Sequence, residues 1–238
     1  MTGPDRKAWV DRRALWLVHQ FGLETILDAT IALPTSACFP DRYAGTIDDG
    51  IALFGRVARY LRLEDEPLHV HFYNPQRRPD QFGALSEAAG YCRNQHGSVT
   101  IGLNESQLAD PLALASTMAH ELCHVLLLRR ERIGADEDDH EPLTDLLMVF
   151  LGFGVFKAND ASRHMPAATG WQTRPSKGYL GLPELAYALA LHAFVRGEPK
   201  PRWDRHLRGN VRVPFWQNLR YLLATGDTPC ARLRVAPR

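Results

Sequence analysis

Two histidines one helical turn apart, with a glutamate directly after the first, constrain this chain more than any other feature: His120-Glu121-Leu122-Cys123-His124. On a helix, positions i and i+4 lie one above the other, so both imidazoles can grip a single metal ion. Glu121 is offset by about 100° around the axis, so it can reach a water on that metal without being a ligand itself. Zinc is the expected metal. Two neutral imidazoles and a carboxylate suit its tetrahedral preference and leave one position open.

A zinc held by two histidines needs a third protein ligand. After sixteen intervening residues comes Glu141-Pro142-Leu143-Thr144-Asp145, leading into the apolar run Leu146-Leu147-Met148-Val149-Phe150-Leu151. Glu141 and Asp145 are again at i and i+4, so both carboxylates can share one face of a second helix. Glu141 can supply the third donor. Asp145 is placed to accept a hydrogen bond from the second ring nitrogen of a ligand histidine. On these residues the chain resembles the gluzincins, the thermolysin-like zinc metallopeptidases, whose third ligand sits in a Glu-x-x-(Ser/Thr)-Asp pattern downstream of H-E-x-x-H. The resemblance covers about thirty residues, His120 to Asp145. It implies that Glu141 binds zinc, that Asp145 orients a ligand histidine, and that the domain is zincin-like. The gap to the glutamate is a few residues shorter than in the thermolysin-like pattern, which calls for a tight loop between the two helices.

Other donors compete for the third position. His140 is one, since histidine is a favoured zinc ligand. The acids Asp136, Glu137, Asp138 and Asp139 read as a solvated loop, because runs of like charge usually face water. Cys123 reads as a small packing residue inside the motif helix. A metzincin arrangement would need glycine at 127 and histidine at 130; the chain has Leu127 and Arg130.

Composition places this chain among ordinary soluble globular proteins, at 45% hydrophobic and 23% charged residues. A formal net charge of +1 gives no reason to expect a nucleic-acid partner or an anionic membrane surface. Arg202, Arg205, Arg208 and Arg212 read as a solvated face. The N-terminal segment lacks an uninterrupted apolar core, so no signal peptide is expected. The apolar stretches are interrupted too soon to expect a membrane span. Cys38, Cys92, Cys123 and Cys230 lie far apart with no C-x-x-C pairing, which favours thiols in a reducing compartment and a cytoplasmic location.

The pattern along the chain predicts a helix over 5–28, a loop at the prolines of 33–41, and a helix over 46–62. Leu68-His69-Val70-His71-Phe72-Tyr73 alternates as a half-buried strand does. His69 and His71 then share a face, read as the polar side of a sheet rather than a second metal pair. Ser98 to Leu103 is a second strand, entered from a turn at His96-Gly97. Asp110-Pro111 opens the motif helix as N-cap and first helical residue, and that helix runs to about Arg130. The Glu141 helix continues to about Lys157. Further helices cover 183–196 and 215–224. The result is an α+β, zincin-like fold: a small mixed sheet, an active-site helix and a mainly helical C-terminal half. It is read as one domain over 1–238, with helices and sheet in 1–105 and the remaining helices in 106–238.

These residues lead to an expectation about chemistry: hydrolysis of a peptide or protein substrate by a metal-activated water, with Glu121 as general base. Tyr179 is the first candidate to stabilise the oxyanion, followed by His164, His192 and His206. The strand Val99–Asn104 corresponds to the one that pairs with extended substrate in thermolysin-like enzymes, or else is an internal, fully paired strand. Two other functions stay open: a zinc-binding scaffold acting as an interaction or sensory module, and a hydrolase of a non-peptide amide. An intact Glu121 speaks against the first, because a purely structural zinc site needs no base.

Overall fold

The computed structural model describes residues 3–74, 89–95, 98–129, 132–134, 137–163 and 179–236. The expected turn at His96-Gly97, Asp136 and the candidate His164 lie outside these. In chain order the elements begin with helices α1 (Gly3–Phe21), α2 (Leu23–Leu27) and α3 (Ile47–Tyr60). Strands β1 (Leu68–Tyr73), β2 (Gly90–Gln95) and β3 (Ser98–Asn104) follow. The rest is helical: α4 (Pro111–His124), α5 (His140–Met148), α6 (Gly154–Arg163), α7 (Leu182–Val195) and α8 (Gly209–Thr225). This is the expected α+β composition, mostly helical with one small sheet. The elements gather into two compact units, Pro34–Ile133 and Met1–Leu33 with Gly134–Arg238.

In the unit Pro34–Ile133 the sheet order is β1-β3-β2, with β1 parallel and β2 antiparallel to β3. Alternation along β3 buries Val99, Ile101 and Leu103, opposite Leu68, Val70 and Phe72 of β1, which is the period-2 pattern of a half-buried sheet. Two sequence expectations change here. The strand Gly90–Gln95 was not foreseen, because Tyr91, Arg93, Asn94 and Gln95 give it no apolar alternation. Its arrival puts Val99–Asn104 in the centre of the sheet, with both edges hydrogen-bonded. That strand therefore has no edge to offer a substrate. Helix α3 starts in a capping box: the Thr46 side chain accepts from the Asp49 amide, and Asp49 accepts from the Thr46 amide.

Helix α4 begins as the sequence indicated. The Asp110 carboxylate accepts from the Leu112 and Ala113 amides, with Pro111 at the first turn, an arrangement worth about 0.5–2 kcal/mol. The regular helix ends at His124 and passes into a π-helical segment, Val125–Arg129, where a single continuous helix was expected. By length and composition, Pro111–Leu128 is apolar enough to cross a membrane, contrary to the sequence expectation. It is also 72% buried within the fold, as the core helix of a folded unit is.

In the other unit the helix expected over 5–28 breaks at Gly22, whose φ of 83° lies where glycine alone is at ease. The Glu141 helix also breaks. After α5 the chain makes a π-helical turn, Val149–Phe153, containing Gly152 at φ 94°, and resumes as α6. The Gly152 carbonyl accepts from the Ala32 amide at 3.0 Å, and a Cβ at 152 would strike the Thr30 carbonyl. Helix α7 is buried at all but one of its residues. A buried carboxylate, Asp11, ties the termini of this unit together by accepting from Tyr187 Oη at 2.7 Å and Thr228 Oγ1 at 2.8 Å.

His192 lies in this core, 1% exposed, with its ring 5.3 Å from that of Phe150. One ring nitrogen bonds the Ile26 carbonyl and Nε2 has no partner among the described residues. Burial first, and the nearby Arg196 charge second, push its pKa down to about 3. The folded state thus holds His192 neutral, while the unfolded chain protonates it below its ordinary value of 6.5. The stabilisation is complete above that value and is lost as pH falls towards 3, a matter of a few kcal/mol. Denaturant titrations of wild type and His192→Gln at pH 7.5 and 4.5 should show the wild-type advantage shrinking in acid. A pH-independent difference would contradict this.

Candidate metal centre

Helix α4 brings His120, Glu121 and His124 to one buried stretch, none more than 7% exposed. The two imidazoles are nearly perpendicular, at 88°, and their Nε2 atoms lie 3.0 Å apart. Two nitrogens on a tetrahedral zinc at its usual bond length sit about 3.3 Å from each other. The pair is therefore close to ligating geometry. Glu121 has a neighbour in β2: a Cβ at Gly90 would lie 3.0 Å from Glu121 Oε1 and 2.9 Å from Thr117 Cγ2. Only a residue without a side chain leaves that carboxylate its place. Burial, followed by the Glu121 charge, pushes the Cys92 thiol up to about 12, so Cys92 stays a neutral wall residue.

Glu141 stands in the first turn of α5, and that turn is pinned from α1. Arg13 Nε donates to Asp139 Oδ2 at 2.8 Å and Arg13 Nη2 to Glu137 Oε2 at 3.0 Å. Trp9 Nε1 also donates to Asp139 Oδ2, at 2.8 Å. Burial works against the Asp139 charge, but the bonds from Arg13 and Trp9 outweigh it and hold its pKa below the usual carboxylate range. Glu137 and Asp139 are thus engaged in ion pairs, where a solvated loop was expected; Asp138 is exposed. His140 turns Nδ1 to the Glu137 carbonyl at 3.1 Å and Nε2 to Glu141 Oε1 at 3.1 Å. Thr144 bonds back to the His140 carbonyl at 2.8 Å. Asp145, one turn beyond Glu141, is wholly buried. Its Oδ2 accepts from the Leu180 amide at 3.0 Å and its Oδ1 pairs with Lys157 Nζ at 2.7 Å.

One group among the described residues can hold a metal ion: His120, His124 and Glu141, whose ligand atoms all lie within 4.8 Å of one another. The donor set is the one the sequence singled out. Cys123 is fully buried and the four cysteines form no disulfide. His69 and His71 share the outer face of the sheet, where His71 Nε2 meets Tyr91 Oη at 3.0 Å. Of the oxyanion candidates, His192 is enclosed in the core as described. His206 lies on a short 3₁₀ turn with its Nε2 accepting from Arg205. Tyr179 is 44% exposed, its ring 4.8 Å from Lys157 Nζ. Sequence reading missed Arg13, Trp9, Lys157 and Gly90. Each acts through a residue distant in sequence or through the absence of a side chain, and no local pattern announces that.

The SprT-like family, a zinc-metallopeptidase-like family, has a model that matches residues 69–151. The match covers about a third of the chain, from β1 through α5, and contains His120, Glu121, His124, Glu141 and Asp145. No curated protein and no solved structure gives a match.

Proposed function

We propose that this chain is a zinc-dependent metallopeptidase of thermolysin-like ligand pattern, with His120, His124 and Glu141 as ligands and Glu121 as general base. The observation that carries the reading is the convergence of two imidazoles and one carboxylate on a helix that also presents a buried glutamate. The donor chemistry fits zinc: two neutral nitrogens and a carboxylate oxygen, with a fourth position left for water. A zinc ion bound there would bring the pKa of its water to about 7 and polarise a substrate carbonyl. Glu121 takes the proton from the attacking water and passes it to the departing amine. Asp145 holds a ligand imidazole in the tautomer and orientation that ligation requires. The SprT-like match over 69–151 supports the peptidase class. Gly90 of β2 backs onto Glu121, and β2 is an outer strand among the described residues. It is thus the strand that can add an extended substrate by backbone hydrogen bonds.

The test is metal dependence. The purified protein should hydrolyse an unstructured protein such as casein, lose that activity on chelation, and regain it with one equivalent of zinc. Stoichiometric zinc without hydrolysis of any peptide or amide would instead favour a zinc-binding interaction module. Hydrolysis confined to non-peptide amides would move the substrate class.

A further inference from the structure

The Asp145 carboxylate is 0% exposed. A buried carboxylate is costly unless it is paired and its lone pairs are filled. Here the charge comes from Lys157 of α6, 13% exposed, at 2.7 Å from Oδ1. The same ammonium lies 4.8 Å from the centre of the Tyr179 ring, within range of a cation–π contact. The next residue, Leu180, donates its amide to Oδ2 at 3.0 Å. Two donors on two different oxygens fix the carboxylate against rotation. Each oxygen has two lone-pair directions, so these two donors do not by themselves exhaust what the carboxylate can accept.

We infer that Lys157 is a positioning residue for the metal centre: with Tyr179 as its backstop, it holds Asp145 in the orientation from which that carboxylate serves a ligand histidine. This rests on the proposed role of Asp145, and it adds a chain of command that the metal ligands alone do not reveal. Lys157 and Tyr179 both lie outside the 69–151 match, so nothing in that comparison bears on them. The ring face, rather than the hydroxyl, is the part of Tyr179 this role uses. That separates it from the expectation that the Tyr179 phenol stabilises the oxyanion.

The experiment measures zinc affinity by chelator competition on the full chain, with the visible spectrum of the cobalt-substituted protein as a second readout. Lys157→Met should weaken zinc binding by about 10–100-fold, the range that outer-shell partners command, and shift the cobalt bands. Lys157→Arg should restore most of the affinity. Tyr179→Ala should weaken binding and Tyr179→Phe should leave it unchanged. Should Lys157→Met fail to fold, Lys157→Met/Asp145→Asn removes both charges together. Its affinity should then equal that of Asp145→Asn alone, because Lys157 acts only through Asp145. Wild-type affinity in folded Lys157→Met, or additive losses in the double variant, would overturn the inference while leaving the ligand set intact. A wild-type chain that binds no zinc would instead remove the proposed function, and this inference with it.

Discussion

Glu121→Gln should keep the metal and the fold and lose peptide hydrolysis by about 10²–10⁴-fold, the usual contribution of a general base. The substitution is almost isosteric, and the space beside Gly90 that admits the carboxylate admits an amide as well. An amide cannot accept the proton of the attacking water. Metal content and circular dichroism should therefore match wild type while kcat falls. Activity near wild type in metal-loaded Glu121→Gln would remove Glu121 from the mechanism. His140 would be next in line, since Glu137 and Asp139 are committed to Arg13.

The second large effect concerns the imidazoles. His120→Ala or His124→Ala should abolish stoichiometric zinc, an effect larger than the roughly 10–100-fold attached to an outer-shell partner. Each removes one of the three proposed protein donors, and the 3.0 Å approach of the two Nε2 atoms needs both rings. Activity should fall to background in the same preparations, and elemental analysis checks the metal directly. Full occupancy in either variant would show that the metal sits elsewhere.

What was legible in the sequence was what local periodicity encodes. His120 and His124, and again Glu141 and Asp145, stand one turn apart, so their helices and the faces they share could be read from spacing. Asp110-Pro111 announced the start of α4, and the alternation of Leu68–Tyr73 announced β1. What could not be read depends on partners far along the chain. Gly90–Gln95 is a strand because β3 offers it an edge, not because its own residues alternate. The breaks at Gly22 and Gly152 look like tolerable glycines in a helical pattern; at Gly152 it is the approach of the Thr30 carbonyl that decides. Glu137 and Asp139 look like part of a solvated run until Arg13 is seen on both and Trp9 on Asp139. The order of the sheet likewise settled, against the substrate-binding option, that Val99–Asn104 is paired on both edges.

The ligand set is tested most directly by zinc titration of Glu141→Ala beside His140→Ala. Glu141 is grouped with the two imidazoles, while His140 has one ring nitrogen on the Glu137 carbonyl and the other on Glu141. One zinc per chain is predicted for wild type, a collapse of affinity for Glu141→Ala, and retained stoichiometric binding for His140→Ala. Full affinity in Glu141→Ala together with its loss in His140→Ala would contradict the account and hand the third position to the histidine.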